Sequence, residues 1–209
     1  MSRSIARLAT ALLLPAGLLL VPGSANAGIP ISCTTDEVVL TADNMDYELV
    51  GPCGTVIVEA DNATVNMQTA TRLVINGDQV SVTAKSLNDT QITGAANSLS
   101  TPSANTMSIT GSGSTVDVAG QLERVVVQAD TTSLTADRTH VLVLRGSGNS
   151  VDVRRGFRTR VIGSDNAVAH RRLDRLRVRG DANTVTVAAG GTSAKVRGQD
   201  NAVTLHRRR

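Results

Sequence analysis

Aromatic side chains are almost missing from this sequence. Across 209 residues there is one phenylalanine (Phe157), one tyrosine (Tyr47) and no tryptophan. A globular core of this size normally takes its largest fillers from such rings. Their scarcity excludes a wide interior and leaves room for a narrow one packed with Val, Ile, Leu and Ala. Cysteine is as scarce, with only Cys33 and Cys53. In an oxidising compartment these two pair by default, which leaves no thiol nucleophile. The three histidines, His140, His170 and His206, form no cluster. Neither a nucleophile elbow nor a metalloprotease helix is present, so composition and motif together argue against a catalytic protein.

What is present is a repeat. A turn centred on Gly or Ala recurs at Ala42, Ala60, Gly77, Gly94, Gly111, Ala129, Gly146, Gly163, Gly180 and Gly198, always 17 or 18 residues apart. A fixed period of this length marks a stacked-repeat architecture. Counting from each turn, apolar residues recur at −4, −2, +5 and +7, as in Met107, Ile109, Val116 and Val118 around Gly111. Alternation of this kind gives two short strands with one face inward. A fifth inward position falls at +10 or +11 (Cys53, Ala70, Leu87, Ala104, Leu122, Phe157 and Leu173), where a third corner is expected. In coils of 18 residues the extra residue is expected at that corner. The fold class predicted is all-β, a parallel β-helix (β-solenoid) of about ten coils spanning 42–209, with strands about 4.8 Å apart. Asn recurs at +3, as Asn97, Asn149, Asn166, Asn183 and Asn201. Both a left-handed turn residue and a coil-to-coil ladder would explain it.

Both ends are specialised. Residues 1–27 read as a secretory signal peptide: Arg3 and Arg7, an apolar run from Leu8 to Val21, and an Ala25-Asn-Ala27 cleavage site. This predicts an exported protein, extracellular or associated with the cell envelope. Residues 28–41 are expected to cap the first coil, stapled by a Cys33–Cys53 disulfide. At the other end Val203-Thr-Leu205 runs into His206 and three arginines, whose charge would blunt the open edge.

The charge is lopsided. Residues 28–144 carry four basic and thirteen acidic side chains, a balance of −9, whereas 145–209 carry fifteen basic and five acidic, a balance of +10. Outward positions −3 and −1 of the last coils hold Arg177, Arg179, Lys195 and Arg197, and Arg145 and Arg160 extend these rows. Arginine corners at Arg154, Arg155, Arg158, Arg171, Arg172 and Arg175 add to them. Guanidinium groups repeated at coil spacing suit a polyanion with its own repeat. In an exported protein that means an anionic envelope polymer, acidic polysaccharide or lipid headgroups, with nucleic acid bound nonspecifically and outside the physiological setting. The acidic first half and basic second half also suit head-to-tail self-association.

Two weaker constellations remain. Asp43, Asp61 and Asp78 share position +1 in three consecutive coils. Stacked carboxylates repel, and a hard cation such as calcium would relieve them. Asp117 and Asp152 share the outward +6 row two coils apart, about 9–10 Å, near the upper end for an inverting pair of carboxylates. They carry the rival reading, a polysaccharide-active β-helix enzyme, lyase or hydrolase.

Gly163-Ser-Asp-Asn166-Ala-Val168, Gly180-Asp-Ala-Asn183-Thr-Val185, Gly198-Gln-Asp-Asn201-Ala-Val203 and Gly146-Ser-Gly-Asn149-Ser-Val151 repeat a G-x-x-N-x-V motif. With the leader and the lack of a catalytic signature, the chain resembles the actinobacterial secreted proteins grouped as domain of unknown function 3060. The resemblance covers about 60–209 and departs from the pattern at Ala60 and Asn62. It implies an exported repeat protein and supplies no activity.

Overall fold

The structure is a computed structural model that describes residues 28–206; the expected signal peptide and the final three arginines lie outside the described residues. Fourteen strands follow in chain order. They are β1 (Ile29–Ser32), β2 (Glu37–Leu40), β3 (Asp46–Val58), β4 (Thr64–Ile75), β5 (Ser81–Ile92), β6 (Ser98–Thr101) and β7 (Ala104–Ile109). Then come β8 (Thr115–Val127), β9 (Ser133–Arg145), β10 (Ser150–Ile162), β11 (Ala167–Arg179), β12 (Thr184–Ala189), β13 (Ser193–Arg197) and β14 (Ala202–Leu205). Every pairing is parallel, each strand lying on the one a coil before it: a β-solenoid of about ten turns.

Hydrophobic periodicity builds the interior. Residues at −4, −2, +5 and +7 form a column of mostly buried aliphatic side chains that opens to solvent in the last coil, where Val196 is 42% exposed; Leu73, Ile75, Val116, Val118, Leu142, Leu144, Val151 and Val185 are all buried. Register is tight because a slip of one residue would turn this whole set to solvent. Each large aliphatic side chain contributes about 1.5–3 kcal/mol on burial, and only a stack closes the column from above and below.

The third corner differs from a break between two strands. In most coils one strand bends through it without losing its ladder, so that Cys53 pairs with Ala70, and Ala70 with Leu87. The ladder is interrupted at Pro102, which has no N–H to donate, and at Gly190-Gly191. The extra residue of the 18-residue coils lies at this corner, as expected: register shifts fall between Leu49 and Pro52 and between Val118 and Gln121. Gly51 (φ 93°) occupies the first shift.

The turn corrects one expectation. The left-handed residue is at +2, not at the Asn of +3: Asn44, Asn62, Gln79, Ala96, Thr131, Asp165, Ala182 and Asp200 have φ between 52° and 58°. The +3 Asn side chains point inward instead; Asn97, Asn149, Asn166 and Asn183 are buried and Asn201 is half-buried. They form a ladder: Asn149 Nδ2 donates to Asn166 Oδ1 at 3.0 Å, Asn166 Nδ2 to Asn183 Oδ1 at 2.9 Å, and Asn183 Nδ2 to Asn201 Oδ1 at 3.0 Å. Each Oδ1 also accepts a backbone N–H from the coil before, so the buried amides are satisfied. Gly at the anchor is a packing requirement here. A Cβ on Gly180 would lie 2.0 Å from the Gly163 carbonyl oxygen.

The N-terminal segment covers the first coil as one more strand layer. β1 pairs with Tyr47–Val50 and β2 with Thr55–Val58, both parallel, so residues 29–40 add a further layer in the same register. Cys33 and Cys53 form the expected disulfide, with Cα atoms 5.0 Å apart. Tyr47 is buried, and its hydroxyl donates to the Ala42 carbonyl at 2.8 Å while accepting the Ala42 N–H at 3.1 Å. The chain's one tyrosine thus ties down the first turn, whose +3 residue is Met45 rather than Asn.

A second correction concerns Phe157. The coil beginning at Gly146 has 17 residues, so its inward corner position is +10, Gly156, which pairs with Thr139 and Leu173. Phe157 is displaced outward and half-buried. The vacated interior is taken by His170, the one ring at +7. A Cβ on Gly156 would lie 3.0 Å from the His170 ring and 2.9 Å from Leu173. His170 is buried, with Nε2 3.0 Å from the Thr159 hydroxyl and Nδ1 3.2 Å from the Val153 carbonyl. Burial pushes its pKa down to about 4, so the ring is neutral at physiological pH.

Candidate polyanion-binding face

The basic residues converge because strand alternation leaves −5, −3 and −1 on one outer face of the last coils. In row −3, Arg160 pairs with Arg177 and Arg177 with Lys195. In row −1, Arg179 pairs with Arg197; Arg145 belongs to the same row but lies two layers earlier, with Ile162 between. Row −5 adds Arg158 and Arg175, which the sequence places at a corner and the structure places on this face. Their odd offset matched the other two rows and was the available signal. A cavity of about 440 Å³ lies among Arg158, Arg160, Arg175, Arg177 and Lys195, and a smaller one of 160 Å³ among Arg177, Arg179, Lys195 and Arg197.

Charge on this face is not neutralised from within. Among the described residues the ion pairs are Arg72–Asp89, Arg138–Asp137 and Arg154–Asp137, all outside it. The five acids of the C-terminal half are placed elsewhere. Asp165 and Asp200 occupy left-handed turn positions, Asp181 accepts the Gln199 N–H at 2.7 Å, Asp152 is on the +6 row and Asp174 at the third corner. Like charges at the strand spacing of about 4.8 Å repel, and a multivalent anion is the partner that would relieve them.

The Asp row has a role inside the fold. Asp43 Oδ1 accepts the Asp61 N–H at 2.8 Å, Asp61 Oδ1 that of Asp78 at 2.7 Å, and Asp78 Oδ1 that of Ala95 at 2.6 Å. Each carboxylate closes an otherwise open donor of the next turn. No group of three or more His, Cys, Asp or Glu side chains among the described residues is arranged to hold a metal ion. Asp117 and Asp152 do share a row, two layers apart on an exposed face with Thr135 between them. On the neighbouring row, hydrogen bonding from Arg154, with Arg138 alongside, holds the Asp137 carboxyl below the usual range.

No protein-family model, curated protein or solved structure matches this chain. The fold and the face are therefore the grounds for a functional reading, and a β-solenoid by itself is compatible with several.

Proposed function

We propose that this is an exported, non-catalytic binding and structural protein that contacts anionic envelope or extracellular polymers, or lipid headgroups, through the basic face of its C-terminal half. The observation that carries this is the set of adjoining rows Arg158–Arg175, Arg160–Arg177–Lys195 and Arg179–Arg197, in register and with no acidic side chain between them. Arg supplies planar, always-charged groups suited to carboxylate and phosphate. The Cys33–Cys53 disulfide is consistent with an oxidising, extracytoplasmic setting, and the resemblance to domain of unknown function 3060 points the same way.

The test is retention on a heparin-like or phosphocellulose matrix, before and after replacing Arg177, Arg179, Lys195 and Arg197 by Gln. These side chains are exposed, so the variant should fold normally and elute at much lower salt. Unchanged elution would refute the reading. Depolymerisation of an acidic polysaccharide, lost on Asp117→Asn or Asp152→Asn, would instead favour the enzyme.

A further inference from the structure

A second basic feature lies off that face, along the third corner. Gln121, Arg138, Arg155 and Arg172 pair in one row. Facing them, one residue beyond the inward corner position, is a second row: Glu123, His140, Phe157 and Asp174. The two rows wall a groove of about 400 Å³, with Thr139 and Gly156 at its floor.

Each wall has a distinct chemistry. Arg155 and Arg172 have no ion pair among the described residues, although they sit at neighbouring positions about 4.8 Å apart. On the other wall His140 stacks on Phe157 with centroids 4.7 Å apart and planes 6° from parallel. Arg175, from the following coil, lies over the same ring, its Cζ 5.5 Å from the centroid. With its faces covered, the Phe157 ring offers the groove its edge, which is apolar and electropositive. Glu123 and Asp174 flank the aromatic pair as hydrogen-bond acceptors.

The ends of the groove differ. At one end Gln121 Nε2 donates across to Glu123 Oε1 and joins the two walls. At the other, Arg172 and Asp174 are shared with a further cavity of about 360 Å³ that runs on to Gly190 and Gly191, which carry no side chains. The groove is thus continued along the rod axis at the Gly190-Gly191 end.

We propose that this groove binds a hexuronate-containing oligosaccharide. A single carboxylate per sugar matches the unpaired guanidiniums of Arg155 and Arg172. Sugar hydroxyls donate to Glu123 and Asp174, and sugar C–H groups pack on the ring edges. A phosphate dianion gains the same arginines but meets two carboxylates and brings no donors for them. This site shares no residue with the Arg177, Arg179, Lys195 and Arg197 set, and each can fail without the other.

The experiment is calorimetric titration of the full mature chain with a hexuronate trisaccharide, with the corresponding neutral trisaccharide and inorganic phosphate as comparisons. The acidic trisaccharide should bind, and the neutral sugar and phosphate should bind at least tenfold more weakly. Arg155→Gln together with Arg172→Gln should weaken the acidic trisaccharide at least tenfold, whereas the Gln variant of Arg177, Arg179, Lys195 and Arg197 should change it less than twofold. Both sets of side chains are exposed; circular dichroism and melting temperature establish that the variants are folded. Absence of binding by the acidic trisaccharide overturns the proposal. So does equal binding of the neutral sugar or phosphate, or an equal loss in the two variants.

Discussion

The first and second halves of this rod share one column of aliphatic side chains but hold their turns in different ways. From Ala42 to Asp78 the turns are tied from outside, by exposed Asp carboxylates that accept the next coil's N–H, and the +3 positions are the apolar Met45, Ala63 and Val80. From Gly146 onward the Asn ladder is added on the inside, while outer side chains still accept the N–H groups of Ser147, Asp181 and Gln199. The difference teaches how a repeat can change its surface charge without changing its fold. With the internal amide tie added, a net −9 segment gives way to a net +10 segment on one continuous ladder.

Breaking the inner ladder should have the largest effect. Asn183→Ala removes an acceptor used by the Asn166 backbone and side chain, and a donor to Gly163 and Asn201. At about 1–3 kcal/mol for each buried group left unsatisfied, the expected loss is roughly 3–5 kcal/mol in urea unfolding. Reducing Cys33–Cys53 should take about 3 kcal/mol from the opposite end. Hydrogen exchange should then quicken across 29–58 and leave 150–187 protected.

Acid should also separate the halves. Because burial lowers His170 to about 4, the unfolded chain takes up a proton near pH 6.5 that the folded chain refuses. The contribution is whole above pH 6.5 and is lost as pH falls toward 4, by up to about 3 kcal/mol. Carboxylates titrate nearby, so the measure is the pH dependence of wild type minus that of His170→Val, the residue found at the same position in Val153 and Val187. The smallest effect is expected on the outer ties. Asp61→Ala loses one exposed acceptor, worth about 1 kcal/mol or less. Since the backbone N–H already engages the carboxylate, calcium should leave the melting temperature unchanged; a clear rise would place the cation on the free oxygens of that row.

Most of the fold was legible in the residues because one rule, aliphatic side chains at four fixed offsets, repeats often enough to be read directly. The location of the extra residue followed from the same counting. The basic rows were legible for the same reason, though Arg158 and Arg175 were assigned to a corner when their offset had the parity of the face. What escaped reading depends on neighbours in space. Phe157 looks like a core residue until Gly156 is seen to hold the inward place, and that exchange makes sense only with His170 arriving from the next coil. Nor could the Asn be placed by type alone, since Asn favours left-handed turns and buried ladders alike.

The Asn ladder has one last consequence, for what the basic face can grip. Amides bonded at successive turns clamp the pitch of the rod, so its guanidiniums form a lattice that cannot stretch to meet a mismatched guest. A stiff anionic chain would have to be commensurate with that lattice, like a key cut to fixed notches. A flexible one could adjust itself and would bear the whole entropic penalty of straightening.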